Sequence, residues 1–150
     1  MPRNQGTLRL IGGAWRRRLI TFDASLGVRP TSDRTRETLF NWLHADIVGA
    51  NCLDAFAGSG VLGFEALSRG AETVTFVDSN RKILTNIDNN AKQLSCQKYK
   101  TQCLVLPDAV TAIEDSYFSI AFVDPPFGKN LMVPTIQSLL ERGVFSPDVN

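Results

Sequence analysis

A chain of 150 residues, 43% hydrophobic and 21% charged, is long and apolar enough for one domain with its own core, and its composition excludes an intrinsically disordered segment. The first apolar run, Leu8 to Trp15, is short and broken by Arg9, Gly12 and Gly13, so neither a secretory leader nor a membrane span is expected. Cys52, Cys96 and Cys103 are scattered without a C-x-x-C pair and His44 is the one histidine, which leaves no basis for a metal site or a disulfide framework and makes a reducing cytoplasm the expected setting. The cysteines read as buried or half-buried hydrophobes and His44 as a surface residue.

The net charge of +1 is unevenly spread. Residues 1–40 carry eight arginines (Arg3, Arg9, Arg16, Arg17, Arg18, Arg29, Arg34 and Arg36) against Asp23, Asp33 and Glu37, a local charge of +5, which leaves −4 for the remainder. A basic segment on an acidic body suits a phosphate-contacting arm, although a plain solvated N-terminus has the same signature.

In chain order, Leu8 to Ile11, a Gly12-Gly13 turn and Leu19 to Phe22 predict a hairpin, read as an appendage outside the core. Pro30-Thr31-Ser32-Asp33 starts a helix in which Leu39, Leu43 and Ile47 recur with Phe40 beside them, and Trp42 is expected in the core. Trp15, beside three arginines, reads equally as packing for the hairpin or as a base contact. From Asn51 onward apolar runs alternate with helical patterns, the mark of right-handed strand-helix-strand units and a parallel sheet. Strands are expected near Cys52 to Ala55, Thr73 to Val77, Gln102 to Leu106 and Ile120 to Val123. Helices are expected near Val61 to Ser68, Arg81 to Leu94, Ala109 to Ile113 and Pro134 to Glu141.

Three motifs carry chemistry. At the first strand-to-helix handover, Asp54-Ala55-Phe56-Ala57-Gly58-Ser59-Gly60-Val61-Leu62-Gly63 reads A-G-S-G-x-x-G from Ala57, a turn whose glycines let the backbone approach a ligand and whose helix start presents free N–H groups. Asp54 at the strand end suits a ligand carrying an ammonium and a sulfonium better than a pyrophosphate. Val77-Asp78-Ser79 closes the next strand, where an acid accepts both ribose hydroxyls of an adenosine; capping the following helix would explain Asp78 or Ser79 equally well. Asp108, after the third strand, suits an adenine amino group or a helix cap.

The most specific motif is Asp124-Pro125-Pro126-Phe127, directly after the strand ending at Val123. The prolines stiffen the backbone and remove donors, so carbonyl and carboxylate oxygens form a cluster of acceptors. Such a cluster holds the two hydrogens of an amine and leaves its lone pair facing a methyl donor, while Phe127 stacks on an extruded base. A plain turn remains the bland reading of Pro125-Pro126.

Taken together, the glycine motif, the acid after the second strand and the D-P-P-F tetrad resemble class I S-adenosylmethionine-dependent methyltransferases acting on amino groups. Three further stretches, 9–16 (RLIGGAWR), 29–40 (RPTSDRTRETLF) and 63–71 (GFEALSRGA), resemble the bacterial family of 16S ribosomal RNA guanine-N2 methyltransferases, methyltransferase D, over essentially the whole chain. The resemblance implies a Rossmann-like α/β domain at 31–150 with helices on both sheet faces, preceded by a basic hairpin extension at 1–30. It implies that Asp54, Gly58 and Gly60, with Ala55 and Phe56 beside them, hold the methionine part of the cofactor. Asp78 and Ser79 would hold the ribose, Asp108 and Ala109 would lie by the adenine, and residues 124–127 would hold the guanine. Arg9, Arg16, Arg17, Arg18, Arg29 and Arg34 would grip the RNA, and the resemblance implies a single guanine presented on an assembled or partly assembled small subunit.

The class uses seven strands, and this chain reaches Asn150 just after the fourth strand of the domain and its helix. Three C-terminal strands are therefore expected to be missing, with an open edge that a second copy of the chain would complete. An adenine-N6 methyltransferase and a non-catalytic RNA-binding or assembly factor are the alternative readings. A nicotinamide-dependent oxidoreductase is set aside because the glycine run is read as departing from the dinucleotide G-x-G-x-x-G spacing and because such an enzyme leaves the Pro-Pro pair unexplained.

Overall fold

The computed structural model describes residues 5–28, 31–114, 117–126 and 128–143. It opens with an antiparallel hairpin, β1 (Gln5–Arg9) and β2 (Leu19–Asp23), in which Leu8 lies opposite Ile20. Helix α1 (Asp33–Trp42) follows, started by Ser32, whose hydroxyl accepts the Thr35 N–H, and α2 (His44–Ile47) leads into the sheet. The remainder runs β3 (Asn51–Ala55), α3 (Val61–Ser68), β4 (Thr73–Asp78), α4 (Arg81–Gln93), β5 (Tyr99–Cys103), β6 (Ile120–Val123) and α5 (Met132–Arg142).

The last four strands pair in parallel in the order β5-β4-β3-β6. The two strand-helix-strand crossovers step outward from β3 through β4 to β5, and the chain then returns to the other side of β3. The order therefore reverses between β3 and β6, and the carboxyl ends of the strands open a crevice there, as in other open parallel sheets. Strands β3 and β4 are buried on both faces, which explains their nearly continuous apolar runs. Their side chains alternate between two cores: Cys52, Val74 and Phe76 pack with Phe40, Phe64 and Ile87, while Leu53, Ala55 and Val77 pack with Leu106, Phe118 and Leu139.

Four expectations need correction. The hairpin is no appendage: Leu10 and Ile20 are wholly buried in the larger core. Its turn lies directly on the end of α3, because at Gly13 (φ +79°) a Cβ would stand 1.8 Å from the Ser68 carbonyl oxygen. Asn90 of α4 anchors β2 by accepting the Thr21 N–H at 3.0 Å and donating to the Thr21 carbonyl at 2.7 Å. Trp42 is 79% exposed, because the inward face of α1 is set by Arg36 and Phe40, and a residue two positions beyond Phe40 points about 200° away.

Strand β5 comes three residues earlier than expected. Its ladder with β4 pairs Tyr99 with Val74 and ends with Cys103 opposite Asp78, so the apolar run 104–106 extends past the sheet and Leu106 turns into the second core. The expected helix at 109–113 is a single 3-10 turn, Val110–Ala112. Among the described residues β6 is paired only with β3, and α5 buries Thr135 and Leu139 while Val133 and Leu140 are exposed. No helix among them is long and apolar enough to cross a membrane, and no cluster of His, Cys, Asp or Glu among them has the make-up of a metal site.

Candidate functional site

The crevice at the carboxyl ends of β3, β4 and β6 is a cleft of about 830 Å³. Its floor is the turn after β3, in which Phe56 (φ +59°), Gly58 (φ +58°) and Gly60 (φ +79°) are all left-handed. The Ala57 N–H donates to the Val77 carbonyl at 2.9 Å and the Gly58 N–H to Asp78 Oδ2 at 3.1 Å, so β4 holds the turn in place. Gly63 is needed for helix packing, since a Cβ there would stand 2.3 Å from the Phe76 ring. Gly58, Gly60 and Gly63 therefore do have the G-x-G-x-x-G spacing of dinucleotide-binding turns, and glycine spacing does not exclude a nicotinamide cofactor; the acids around the turn are the discriminating feature.

Asp54 is buried but lines the cleft, and its Oδ2 accepts the Gly63 N–H at 3.1 Å. Burial pushes its carboxyl well above the ordinary range; the Gly63 bond opposes this, and the charges of Asp124 and Asp78 reinforce it. Asp78 accepts the Gly58 N–H on one oxygen and the Asn80 N–H on the other at 3.0 Å. Asn80, not Asp78 or Ser79, caps α4 by accepting the Lys82 N–H, so the capping explanation for those two residues does not hold. Asp124, Pro125 and Pro126 line the same cleft from the end of β6. Among the described residues, ion pairs join Arg9 and Arg36 to Asp33, Arg36 and Arg69 to Glu65, and Lys98 to Glu72, and none reaches Asp54, Asp78 or Asp124. Among the described residues, three acids thus face one cleft with no basic partner, an arrangement that favours a cationic ligand.

Of the residues expected at a cofactor, Asp54, Phe56, Gly58, Asp78 and Ser79 line the cleft. Gly60 lies beneath it as the cap of α3, and Ala55 is buried in the second core. Asp108 and Ala109 are not among the lining residues; Asp108 is exposed, and no side chain caps the turn that follows it. Phe127 and Arg29 lie outside the described residues.

Of the expected RNA-contacting arginines, none among the described residues lines this cleft. Arg16, Arg17 and Arg18 are exposed at the hairpin tip, and the Arg18 guanidinium donates to the Gln93 carbonyl at 2.9 Å, at the far end of α4. Helix α4 begins at the cleft and is 13 residues long, so the tip stands about 20 Å away along the helix layer. Arg9 pairs with Asp33 at 3.7 Å, and Arg34 is exposed on α1. One wall of the cleft was not anticipated: Leu26, Gly27, Val28 and Thr31, between the hairpin and α1. No local pattern places them there, because their position depends on how the hairpin docks on α3 and α4. Asn130, Leu131 and Met132, at the start of α5, complete the rim.

The model of the family described as conserved hypothetical protein 95 matches residues 8–150. The chain is 39% identical over 150 residues to the ribosomal RNA small subunit methyltransferase D of Haemophilus influenzae, covering 98% of this chain and 78% of that protein. To the protein of the same name from Escherichia coli strain K12 it is 44% identical over 140 residues, covering 92% of this chain and 69% of the other. Among solved structures, yhhF of Escherichia coli, described as a candidate methyltransferase, matches with a TM-score of 0.80 and 38% identity over 94% of this chain and 76% of that one. The parallel sheet and its crevice are thus those of a Rossmann-like class I methyltransferase.

Proposed function

The chain belongs to the family described as conserved hypothetical protein 95, and from that premise we propose that it methylates the N2 amine of a guanine in small-subunit ribosomal RNA, with S-adenosylmethionine as methyl donor. The observation that carries this reading is the convergence of Asp54, Asp78 and Asp124 on one cleft without a basic partner among the described residues.

The residues of the cleft fit the donor. Asp54 is a desolvated carboxyl that gains a counter-charge from an ammonium or sulfonium, and the turn at Gly58 leaves backbone exposed for close approach. Asp78 spends one lone pair of each oxygen on the Gly58 and Asn80 amides and keeps the others for ribose hydroxyls. When bound, the donor supplies a methyl group already activated on a sulfonium, so the chain needs to supply only position and hydrogen bonds.

Asp124 and the Pro125 carbonyl accept the two hydrogens of the guanine amine. The nitrogen lone pair is delocalised into the ring, and holding both hydrogens out of the ring plane frees it to face the methyl group. Phe127, next in the tetrad, supplies a ring on which an extruded base stacks. Arg9 and Arg34, with Arg16, Arg17 and Arg18 at the hairpin tip and with Arg29, supply the positive charge for the RNA backbone.

The test is transfer of labelled methyl to small-subunit particles lacking the modification, with the modified nucleotide mapped. Transfer to a guanine amine is the expected result; label in adenine would replace the reading with N6 methylation. Absence of S-adenosylhomocysteine binding in calorimetry would leave an RNA-binding or assembly role. Asp124→Ala should lower transfer at least 100-fold while cofactor binding stays within a few-fold, since the side chain meets the base and not the donor. Loss of both together would remove its assigned role.

A further inference from the structure

The chain buries a second carboxylate, on the helix that rises from the floor of the cleft. Glu65, four residues along α3 from Val61 at the cleft, is wholly buried and accepts the Ile11 N–H at 3.0 Å, the Gly12 N–H at 3.0 Å, Arg36 Nη1 at 3.2 Å and Arg69 Nε at 3.2 Å. Arg36 is wholly buried as well. Its Nε donates to the Thr31 carbonyl at 3.2 Å, its Nη1 to the Arg9 carbonyl at 2.8 Å, and its Nη2 to Asp33.

Four separate pieces of chain therefore meet at one guanidinium–carboxylate pair: the end of β1, the hairpin turn, the start of α1, and α3. Two of these pieces bear on the cleft. Thr31 lines it, and α3 rises from its floor. The wall also lies close to the floor, since the Val28 side chain stands 3.7 Å from where a Gly58 Cβ would be.

We infer that Arg36 and Glu65 are positioning residues for the cofactor cleft: Arg36 holds the wall at Thr31 and Val28 against the glycine turn, and Glu65 fixes Arg36 to the helix that carries that turn. The planar guanidinium suits this task because its fork serves Thr31, Arg9, Asp33 and Glu65 at once, which a lysine cannot do. The inference rests on reading the cleft as the cofactor site.

The experiment compares S-adenosylhomocysteine binding and the split between KM and kcat in the full chain and in four variants: Asp54→Asn, Arg36→Lys, Glu65→Gln and Ser68→Ala. Ser68 ties down the same hairpin turn, accepting the Trp15 N–H at 2.9 Å and donating to the Gly12 carbonyl, and among the described residues it makes no hydrogen bond to the wall at Thr31. All measurements are made at a temperature where circular dichroism shows each variant folded. Arg36→Lys and Glu65→Gln should weaken S-adenosylhomocysteine binding about tenfold and raise KM for the methyl donor with kcat nearly kept. Ser68→Ala should lower Tm and leave binding unchanged. Should Arg36→Lys fail to fold, Glu65→Gln, which keeps an oxygen acceptor in the same shape, decides the matter. If Asp54→Asn loses binding while the folded Arg36 and Glu65 variants bind as Ser68→Ala does, the positioning role is overturned and the cleft stands. If Asp54→Asn binds as the unaltered chain does, the cleft reading falls and the positioning role falls with it.

Discussion

The polar clusters around Glu65 and around Asp54 use the same chemical groups to opposite ends. Around Glu65, every buried charge has a counter-charge or an amide: Arg36, Arg69 and the Ile11 and Gly12 N–H groups surround one carboxylate. Around Asp54, two further acids stand nearby, and the opposing contribution comes from a single amide, that of Gly63. A satisfied cluster joins pieces of chain and asks for nothing from solution. An unsatisfied one stores an electrostatic deficit that a cationic ligand removes, and a deficit of this kind marks a binding site more strongly than burial or glycine content does.

Removing one partner from the satisfied cluster gives the largest expected effect. Glu65→Ala leaves Arg36 buried without its carboxylate and should destabilise the fold by about 3–5 kcal/mol in chemical denaturation. A loss under about 1 kcal/mol would mean that the guanidinium had found other partners and that the two clusters differ less than their contacts imply.

Next comes packing beside the unsatisfied cluster. Gly63→Ala puts a methyl 2.3 Å from the Phe76 ring and should cost about 1–3 kcal/mol, measured as a fall in Tm, with the glycine turn displaced and cofactor binding weakened.

The unsatisfied cluster has a pH signature of its own. The Asp54 carboxyl titrates well above its unfolded value of 3.8. Its contribution to stability is therefore fully present below the unfolded value and is lost as pH rises through the folded one. Asp54→Asn should remove that dependence, so the unliganded variant gains on the unaltered chain as pH rises. Binding of S-adenosylhomocysteine should run the other way: its ammonium favours the carboxylate, so affinity rises over the same pH window and a proton is released. Calorimetry in buffers of different ionisation enthalpy measures that proton, and a value of zero would place the carboxylate elsewhere.

The smallest effects belong to the surface. Replacing Arg17 with alanine should leave stability within about 0.5 kcal/mol and, if the hairpin tip meets an RNA phosphate, reduce the salt slope of RNA binding by about one. An unchanged slope would take Arg17 out of the RNA contact.

Much of the sheet was legible because its determinants are local. The run Ile120 to Val123 and the helix Val61 to Ser68 have the boundaries that their apolar patterns predict, and glycines, Asp78 and the Asp-Pro-Pro segment each fall at a strand end where side chains must turn toward the crevice. What failed locally did so for a stated cause: the register with β4 moved β5, and the short run 109–113 lacks the length and the caps that sustain a helix.

The sequence by itself determined the order of strands and helices and the chemistry at each strand end, since periodicity and turn residues act over a few positions. Only the tertiary structure decided that Arg36 is a buried connector and not one more basic surface residue, that Val28 and Thr31 wall the cleft, and that Arg16 to Arg18 lie about 20 Å from it. These facts depend on contacts between residues 27 to 75 positions apart, such as Arg36 with Arg9 and Arg18 with Gln93, and no local pattern encodes a partner so distant in the chain.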